Sequence, residues 1–289
     1  MMNEAVSWKK KSRFAETWHR LNKNKVAVIC LFVILAVVLI AIFAPFIAPY
    51  KYDAQDYSSI FSPPSKDHLL GTDGLGRDIL SRLIYGAGQS LQLGVISTAI
   101  ASIIGVIIGS IAGYYGGWTD NIIMRLFDIY QSIPMFLLCV TLAAVMGPSL
   151  TNATLAIGIG MIPGPARMMR ASILSVREME YVEAAKAINA KSTQIITKYI
   201  VPNAIAPLIV SVTMSIGMNV LAGAGLSFIG LGAQPPVPEW GSMVSDARNI
   251  MRDHGTLALY PGICIMIVVL AFNLLGDGLR DALDPRLKN

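Results

Sequence analysis

The stretch EYVEAAKAINAKSTQIITKYIVPNA, residues 180–204, places a charged, helix-patterned segment between two long apolar blocks. Its charged residues are Glu180, Glu183, Lys186, Lys191 and Lys198. Across all 289 residues, 54% are hydrophobic and only 14% are charged, and the mean hydropathy is +0.58. Because a soluble domain has about a quarter charged residues, the composition predicts a membrane protein in which this stretch is the exception.

Charge-free runs elsewhere in the chain are long enough to cross a bilayer, which takes about 20 apolar residues per helix. The turn-forming sequence GPSLTN at 147–152 divides the run 129–166 into two parts. The sequence therefore predicts an all-α polytopic membrane protein with six transmembrane helices. These are expected at 26–50, at about 91–114, twice within 129–166, from 199 to near 231, and at 256–276.

Lys and Arg residues set the expected orientation, because cytoplasmic flanks are enriched in them. With the N-terminus inside, only six of the 23 Lys and Arg residues lie on the extracytoplasmic side: Lys51, Lys66, Arg77, Arg82, Arg248 and Arg252. Both chain ends are thus expected in the cytoplasm, and insertion explains the net charge of +5 without a nucleic-acid partner.

The expected organisation follows from this orientation. It is a cytoplasmic basic segment at 1–25, a first transmembrane helix at 26–50, an extracytoplasmic loop with an amphipathic helix at 51–88, and a five-helix core at 89–289 with a cytoplasmic loop at 167–202 and an extracytoplasmic loop at 232–255.

The charged stretch lies in the cytoplasmic loop and has the periodicity of two short helices. Its apolar positions are Val176, Met179, Val182 and Ala185, then Ile195, Ile196, Tyr199 and Ile200. Between the two sets, Asn189 can take the left-handed conformation that ends a helix, and Ser192 can cap the next helix. The pattern predicts a bent helical hairpin below the membrane. The alternative is a solvated surface helix with an ordinary Glu183–Lys186 pair.

The hairpin carries Glu183-Ala184-Ala185, then Asn189, then Val201-Pro202. It resembles the EAA loop of the membrane subunits of ATP-binding-cassette importers, whose usual form is EAA, three residues, Gly, nine residues, I, one residue, LP. Asn189 stands at the Gly position, where Asn is the next best residue for a positive φ. Ile200 falls one residue later than the usual Ile.

Four further segments resemble the dipeptide, oligopeptide and nickel permease family. They are HLLGTDGLGRDILSRLIYGAGQSL (68–91), GYYGGWTDNIIMRLFDIYQSIP (113–134), LSFIGLGAQPPVPEWGSM (226–243) and DGLRDALDPRLK (277–288). The resemblance implies a type I importer permease fold in a bacterial inner membrane, and import of di- or oligopeptides. Nickel, glutathione or another small solute remain alternatives.

The same resemblance implies partners: a homologous second permease subunit in a heterodimer, two ATP-binding subunits, an extracytoplasmic substrate-binding protein and membrane lipid. ATP and Mg would bind to the partner ATPases, and this chain would be non-catalytic and hold no cofactor. It contains no GxxxxGK[ST] phosphate loop. The residues implied to dock onto an ATPase are Tyr181, Glu183, Ala184, Ala185, Lys186, Asn189, Ala190 and Pro202.

Three other sets of residues are candidates. Gly71, Thr72, Asp73, Arg77 and Asp78 form a turn that could contact the binding protein or be purely structural. Met214, Ser215, Met218, Asn219 and Asn273 could line the pathway, although either Asn could instead make an interhelical hydrogen bond. Gly105, Gly109 and Gly113 repeat every four residues, which favours close helix packing within the subunit or with the partner.

Rival functions find little support in the sequence. Asp128 and Asp277 could form an intramembrane aspartyl protease, but both fit juxtamembrane positions. A secondary transporter or selective ion channel would need ionisable residues deep in the spans. Cys30, Cys139 and Cys264 occur singly in different spans, so they are read as apolar fillers and no metal site is expected.

Overall fold

The computed structural model describes residues 13–283. In chain order its α-helices are α1 (Arg13–Leu21), α2 (Lys25–Ile42), α3 (Ala44–Ile47), α4 (Ile79–Tyr115), α5 (Gly117–Gln131), α6 (Met135–Met146), α7 (Leu150–Gly160), α8 (Pro163–Val176), α9 (Glu180–Ala187), α10 (Ser192–Gln194), α11 (Val201–Ala204), α12 (Ala206–Phe228), α13 (Trp240–Ala247) and α14 (Thr256–Leu283), with 3₁₀ turns at Tyr57–Ser59 and Arg248–Ile250 and a π-helix at Ile195–Ile200. Within the described residues there is no β-strand, only an isolated bridge between Thr72 and Asp78. The predicted cytoplasmic basic residues before Arg13 and after Leu283 lie outside the described part of the chain.

Four of the described helices, α2, α4, α12 and α14, are long and apolar enough to cross a membrane. The pair α5 and α6, which meet at 81°, makes a fifth if it is counted as one span. Helix α2 is apolar all round, and most of its large side chains, such as Phe32 and Leu39, are exposed. That is the pattern of a helix that faces lipid. The count of six spans stays a prediction.

The run 129–166 does not form two single spanning helices, which corrects the sequence-based expectation. Helix α6 has 12 residues and α7 has 11, so each is only about 16–18 Å long, whereas the hydrocarbon core is about 30 Å thick. Pro134 separates α5 from α6 and Pro163 begins α8. Because proline lacks a backbone N–H and fixes φ, it breaks a helix or starts one.

The amphipathic helix expected within 51–88 is not separate from the second span. Helix α4 runs without a break for 37 residues, from the N-cap Asp78 to the C-cap Gly116. At about 1.5 Å per residue it is about 55 Å long, well beyond the hydrocarbon core. The expected boundary at residue 88 therefore falls inside a continuous helix.

Two predicted loops are more structured than expected. Helix α8 continues through Val176, so the loop predicted to be cytoplasmic begins about ten residues after its expected start at Arg167. The segment 232–255 contains α13, whose N-cap Glu239 accepts hydrogen bonds from the backbone N–H groups of Gly241 and Ser242. Trp240 of this helix is buried, and its indole Nε1 donates to the carbonyl of Leu83 on α4 at 3.1 Å. This segment is a packed cap on the helices rather than an open loop.

Helix α4 is the centre of the packing, since it contacts α2, α7, α8 and α12. One buried apolar cluster joins its N-terminal part to α12, α13 and α14. A second cluster joins α8, α9, the π-helix and α12. The second cluster ties the charged stretch to the membrane helices.

Candidate coupling surface and translocation groove

The first limb of the charged stretch is helix α9, which ends at a left-handed residue. Asn189 has φ +57°. Its N–H donates to the carbonyl of Lys186 at 2.9 Å, and the N–H of Ala190 donates to the carbonyl of Ala185 at 3.1 Å. These two bonds form a Schellman motif with Asn189 in the position that glycine usually takes. Asn189 thus turns the chain where the usual motif has Gly.

The two faces of α9 differ sharply in burial. Val182 is fully buried and Ala185 is 4% exposed, and both pack in the cluster with α8 and α12. The opposite face is exposed and includes Tyr181, Glu183, Ala184 and Lys186. Ile188, just after the helix, is 75% exposed. Of the residues that the resemblance implies in docking, Ala185 therefore faces inward and cannot touch a partner directly.

The second limb begins at Lys191, which is extended and is the N-cap residue. Ser192 is already helical and makes no capping bond, so the expected serine cap is wrong. The limb continues as the π-helix Ile195–Ile200, and the N–H of Val201 donates to the carbonyl of Ile196. Pro202 and Asn203, which follow, are exposed.

The π-helix accounts for the late isoleucine of the motif. Ile195 is 2% exposed and Ile200 is fully buried, and they lie five residues apart. In an α-helix, residues five apart point in different directions, whereas the wider π turn, with its i to i+5 bonds, brings them close to the same face. Ile200 therefore reaches the hairpin core although it falls one residue late.

A groove of about 890 Å³ lies between α12 and α14, and Met168 of α8 also lines it. Four of the candidate pathway residues line it together: Met214, Ser215, Met218 and Asn273. Asn203 and Arg280, which sequence reasoning did not single out, also line it. The groove thus combines adaptable thioether side chains with hydroxyl, amide and guanidinium groups.

Asn219 does not line this groove. It is 1% exposed, and its side-chain amide donates to Thr98 Oγ1 on α4 at 2.9 Å. This is the interhelical hydrogen bond that the sequence left open as the alternative, and it satisfies the amide at membrane depth.

The turn 71–78, which the predicted topology puts on the outer side, is held by its own side chains. Asp73 accepts from the backbone N–H of Leu75 and from Arg77 Nε at 2.7 Å. Asp78 caps α4 by accepting from the Ser81 N–H at 2.7 Å, and its other oxygen lies 3.0 Å from His68 Nδ1.

The remaining two candidates in this turn are also internal. Gly71 has φ +81°, and a Cβ there would lie 2.5 Å from the carbonyl oxygen of Ser62. Thr72 is buried and accepts from the Ser62 N–H at 2.9 Å. Leu75, at 41% exposure, is the most accessible residue of the turn, and no sequence signal distinguished it.

The glycine stripe of α4 lies against α8 in the same chain. A Cβ on Gly105 would approach Pro165 and Ala166, one on Gly109 would lie 2.3 Å from the carbonyl oxygen of Ala166, and one on Gly113 would approach Arg170 and Ile173. Of the two uses left open by the spacing, the structure therefore shows packing within the subunit.

Two ion pairs that the sequence did not indicate join α8 to α5. Arg170 makes a bidentate pair with Asp120, and Arg167 Nη2 lies 2.7 Å from Asp128 Oδ1. The partners are 39 and 50 residues apart, so no short-range spacing could have revealed them. Asp128 also lies 3.7 Å from Arg125, whereas Asp277 is an exposed residue of α14.

A family model described as "Binding-protein-dependent transport system inner membrane component" matches residues 105–289. A second model, described as the N-terminal TM domain of oligopeptide transport permease C, matches residues 12–64.

Individual proteins give the same result over nearly the full chain. The dipeptide transport system permease protein DppC of Alkalihalophilus pseudofirmus is 46% identical over 96% of this chain and 91% of its own length. The glutathione transport system permease protein GsiD of Pectobacterium atrosepticum is 42% identical over 95% of this chain and 91% of its own length.

A solved structure shares the fold. A chain of the MetNI methionine ABC transporter, in inward-facing conformations, aligns with a TM-score of 0.58 and 21% identity over 71% of this chain and 98% of that chain. With two family models covering both parts of the sequence and a relative 46% identical, the chain belongs to the family of binding-protein-dependent transport system inner membrane components.

Proposed function

We propose that this protein is a membrane-spanning permease subunit of an ATP-driven importer, and that it moves di- or oligopeptides delivered by an extracytoplasmic binding protein. It is a multi-pass protein of the bacterial inner membrane. The observation that carries the proposal is the two-faced helix α9, which exposes a docking surface on one side and is packed into the membrane helices on the other.

The exposed side of α9 has the chemistry of a protein interface. We define the docking surface as Tyr181, Glu183, Ala184, Lys186 and Ile188. An exposed aromatic and an exposed aliphatic residue offer apolar anchors for a partner. The small Ala184 permits close approach, and the carboxylate of Glu183 can accept charge-assisted hydrogen bonds.

The buried side of α9 connects that surface to the pathway. Val182 and Ala185 share one cluster with Met169 and Ile173 of α8 and Leu208 of α12. Helix α8 packs on the glycines of α4, and α12 lines the groove. Close-packed elements move as rigid bodies. A displacement of α9 by an ATPase would therefore shift both α8 and α12.

The groove supports a peptide substrate. Its volume of about 890 Å³ lies in the range of small-molecule sites. Ser215 and Asn273 can exchange hydrogen bonds with peptide groups, and Met214 and Met218 can adapt to varied side chains. The groove is open on one side in the single chain, and a homologous second permease would close it.

The remaining parts of the proposal concern topology and partners. We propose that α5–α6 and α7–α8 each cross once, which gives six spans with both ends in the cytoplasm. Two ATPase subunits would bind ATP and Mg and perform hydrolysis, and this chain would be non-catalytic. Family membership supports ATPase and binding-protein partners in general.

The experiment reconstitutes the chain with its partner permease, ATPases and binding protein in liposomes. Dipeptide should stimulate ATP hydrolysis and accumulate inside. Ala184→Asp should leave membrane insertion intact, weaken co-purification of the ATPases and lower transport about tenfold or more, since a new buried charge costs several kcal/mol at an interface. Ala184→Ser, which keeps the residue small and neutral, is the matched control. Wild-type uptake by Ala184→Asp would refute docking through α9, and ion-driven uptake without ATPases would refute the importer.

Glutathione is a second candidate substrate, because a relative named for glutathione transport is 42% identical. The same liposomes can be offered a dipeptide and glutathione in competition. Uptake of glutathione that dipeptides do not inhibit would move the assignment to glutathione.

A further inference from the structure

A second cavity, distinct from the groove, lies between the outer turn and α13. It has a volume of about 330 Å³. On the topology proposed above it opens to the extracytoplasmic side. Its apolar wall is formed by Ile79, Met243, Ile250 and Leu257, and its charged wall by Asp73, Arg77, Arg82 and Asp246.

Arg82 is a buried cation whose donors are only partly used. Its side chain is 4% exposed. Its Nη1 donates to the carbonyl oxygens of Tyr52 at 3.2 Å and Pro236 at 3.3 Å. Its Nε lies 3.6 Å from Asp73 and its Nη2 lies 3.9 Å from Asp246, and both distances are too long for hydrogen bonds. The Nε and Nη2 groups of Arg82 can therefore still donate hydrogen bonds to the carboxylate of a ligand.

Asp246 is the complementary group. In the described residues its carboxylate makes no hydrogen bond, and its nearest cation is Arg82 at 3.9 Å. The Asp246 side chain is 54% exposed; partial desolvation by its surroundings raises the pKa of its carboxyl above the ordinary value, while Arg82 and Arg77 oppose that rise. Asp73, in contrast, is fully engaged with Arg77 and with backbone N–H groups. Asp246 is thus the acid that is free to bind an ammonium group.

A smaller adjoining cavity of about 110 Å³ shares Arg82, Pro235 and Asp246 with the first. It is also lined by Ser227. Ser227 is 2% exposed, and its hydroxyl has no hydrogen-bond partner. Buried polar groups are nearly always hydrogen-bonded. The unpaired hydroxyl of Ser227 is therefore a second indication that this space holds a polar ligand.

We propose that this cavity binds a short zwitterionic peptide, with the peptide carboxylate on Arg82, its ammonium group on Asp246 and its side chains against Ile79, Met243 and Leu257. The proposal rests on the importer function and names an additional substrate site on the outer side of the subunit.

The balance of charge selects the class of ligand. Two arginines and two aspartates make the charged wall neutral overall, so a ligand with a net charge would leave one charge unpaired beside the buried Arg82. A zwitterion pairs with both signs. The volume is near the lower end of known small-molecule sites, which favours dipeptides over longer peptides.

The test measures equilibrium binding of the dipeptide Ala-Leu to the permease–ATPase complex in lipid nanodiscs, without binding protein or ATP. The probes for comparison are N-acetyl-Ala-Leu, which lacks the ammonium group, and Ala-Leu amide, which lacks the carboxylate. Loss of a hydrogen bond to a charged group costs about 1.5–3 kcal/mol, so each blocked peptide should bind the wild type at least about tenfold more weakly than Ala-Leu.

Asp246→Asn tests the contact with the ammonium group separately from the contact with the carboxylate. It should weaken Ala-Leu about tenfold, abolish the preference over N-acetyl-Ala-Leu and retain the preference over the amide. The raised pKa means that the folded protein disfavours the ionised form of Asp246. At pH values above the ordinary pKa of an aspartate, the ionised group therefore lowers the free energy of unfolding. Asp246→Asn should accordingly not lower the thermal midpoint at pH 7. A purely structural role for Asp246 predicts a lower midpoint. Asp253→Asn, the same change at an exposed residue of the segment outside the cavity, should behave as the wild type.

Three results would overturn this site: no saturable binding of Ala-Leu, equal binding of the blocked peptides, or unchanged binding by Asp246→Asn. Binding-protein-dependent uptake of Ala-Leu by the wild-type complex is measured in parallel. If uptake persists while the site fails, the importer proposal stands and only the cavity is wrong. If uptake fails, the importer proposal itself is wrong.

Discussion

At the scale of single residues, Ala184 and Ala185 are neighbours with opposite environments. Ala185 is 4% exposed and packs with Val182 and Ile195, whereas Ala184 lies on the docking surface. Ala185→Asp should therefore bury an unpaired carboxylate and lower the free energy of unfolding by about 3 kcal/mol or more. Ala184→Asp should leave stability within about 0.5 kcal/mol. Thermal unfolding of the two purified variants in one detergent checks this, and equal midpoints would show that α9 is not packed as described.

Residue type alone identified the turn but not the cap that follows it. Asn189 was predictable because few residues other than glycine tolerate a positive φ, and it has φ +57°. Ser192 was equally suitable as a cap by type. Capping, however, requires an extended backbone, and in the structure Lys191 is the extended residue and Ser192 is helical. That one-position difference depends on where the second limb packs.

At the scale of helices, Gly109 is expected to be essential for the contact between α4 and α8. A Cβ there would lie 2.3 Å from the carbonyl oxygen of Ala166, and backbone cannot yield as a side chain can. Gly109→Ala should force α4 and α8 apart and lower stability by about 1–3 kcal/mol. Gly88→Ala, in the same helix, meets nothing closer than 3.8 Å and should gain up to about 1 kcal/mol from helix propensity. Denaturation of both variants under identical conditions measures the difference, and a neutral Gly109→Ala would contradict the close approach.

The apolar runs located the long helices, and the turn sequence GPSLTN marked the break between α6 and α7, but the breaks at Pro134 and Pro163 were not predicted. The long helices α2, α12 and α14 overlap predicted spans. Helix α6 is more apolar than α5, but a difference in hydropathy carries no information on direction, so it could not show the 81° bend between the two helices. Likewise, no charge or turn residue distinguishes the π-helix Ile195–Ile200 from an α-helix. The π-helix brings the buried side chains of Ile195 and Ile200, five residues apart, to one face. Their burial is visible only in the packed structure.

At the scale of the whole molecule, the outer cavity could not have been found from the sequence. Arg82 of α4 and Asp246 of α13 are far apart in the sequence. The same is true of Ser90 and Glu239, which hydrogen bond at 2.9 Å although they are 149 residues apart. Each residue alone looks like an ordinary charge beside a membrane span. The hairpin, by contrast, is local in sequence, and so its pattern was readable before the structure.

The orientation of the whole chain remains a prediction that accessible cysteines can test. In a variant without Cys30, Cys139 and Cys264, single cysteines would be placed at four exposed positions: Lys51, Thr151, Lys191 and Asp253. Six spans with both ends inside place Lys51→Cys, Thr151→Cys and Asp253→Cys on the outer side. A membrane-impermeant maleimide should label these three in intact spheroplasts, and it should label Lys191→Cys only after permeabilisation.

Thr151 decides between six spans and fewer, because it follows the bent pair α5–α6. If α5–α6 crosses the membrane, the turn before α7 emerges on the outer side. If the pair is instead a re-entrant loop, Thr151→Cys reacts only after permeabilisation. In that case, α7–α8 would no longer be needed to return the chain to the cytoplasm, and α9 would keep its cytoplasmic position with four spans. Labelling of Lys191→Cys in intact spheroplasts would have a larger consequence, because it would place the docking surface on the side opposite to ATP and exclude coupling through α9.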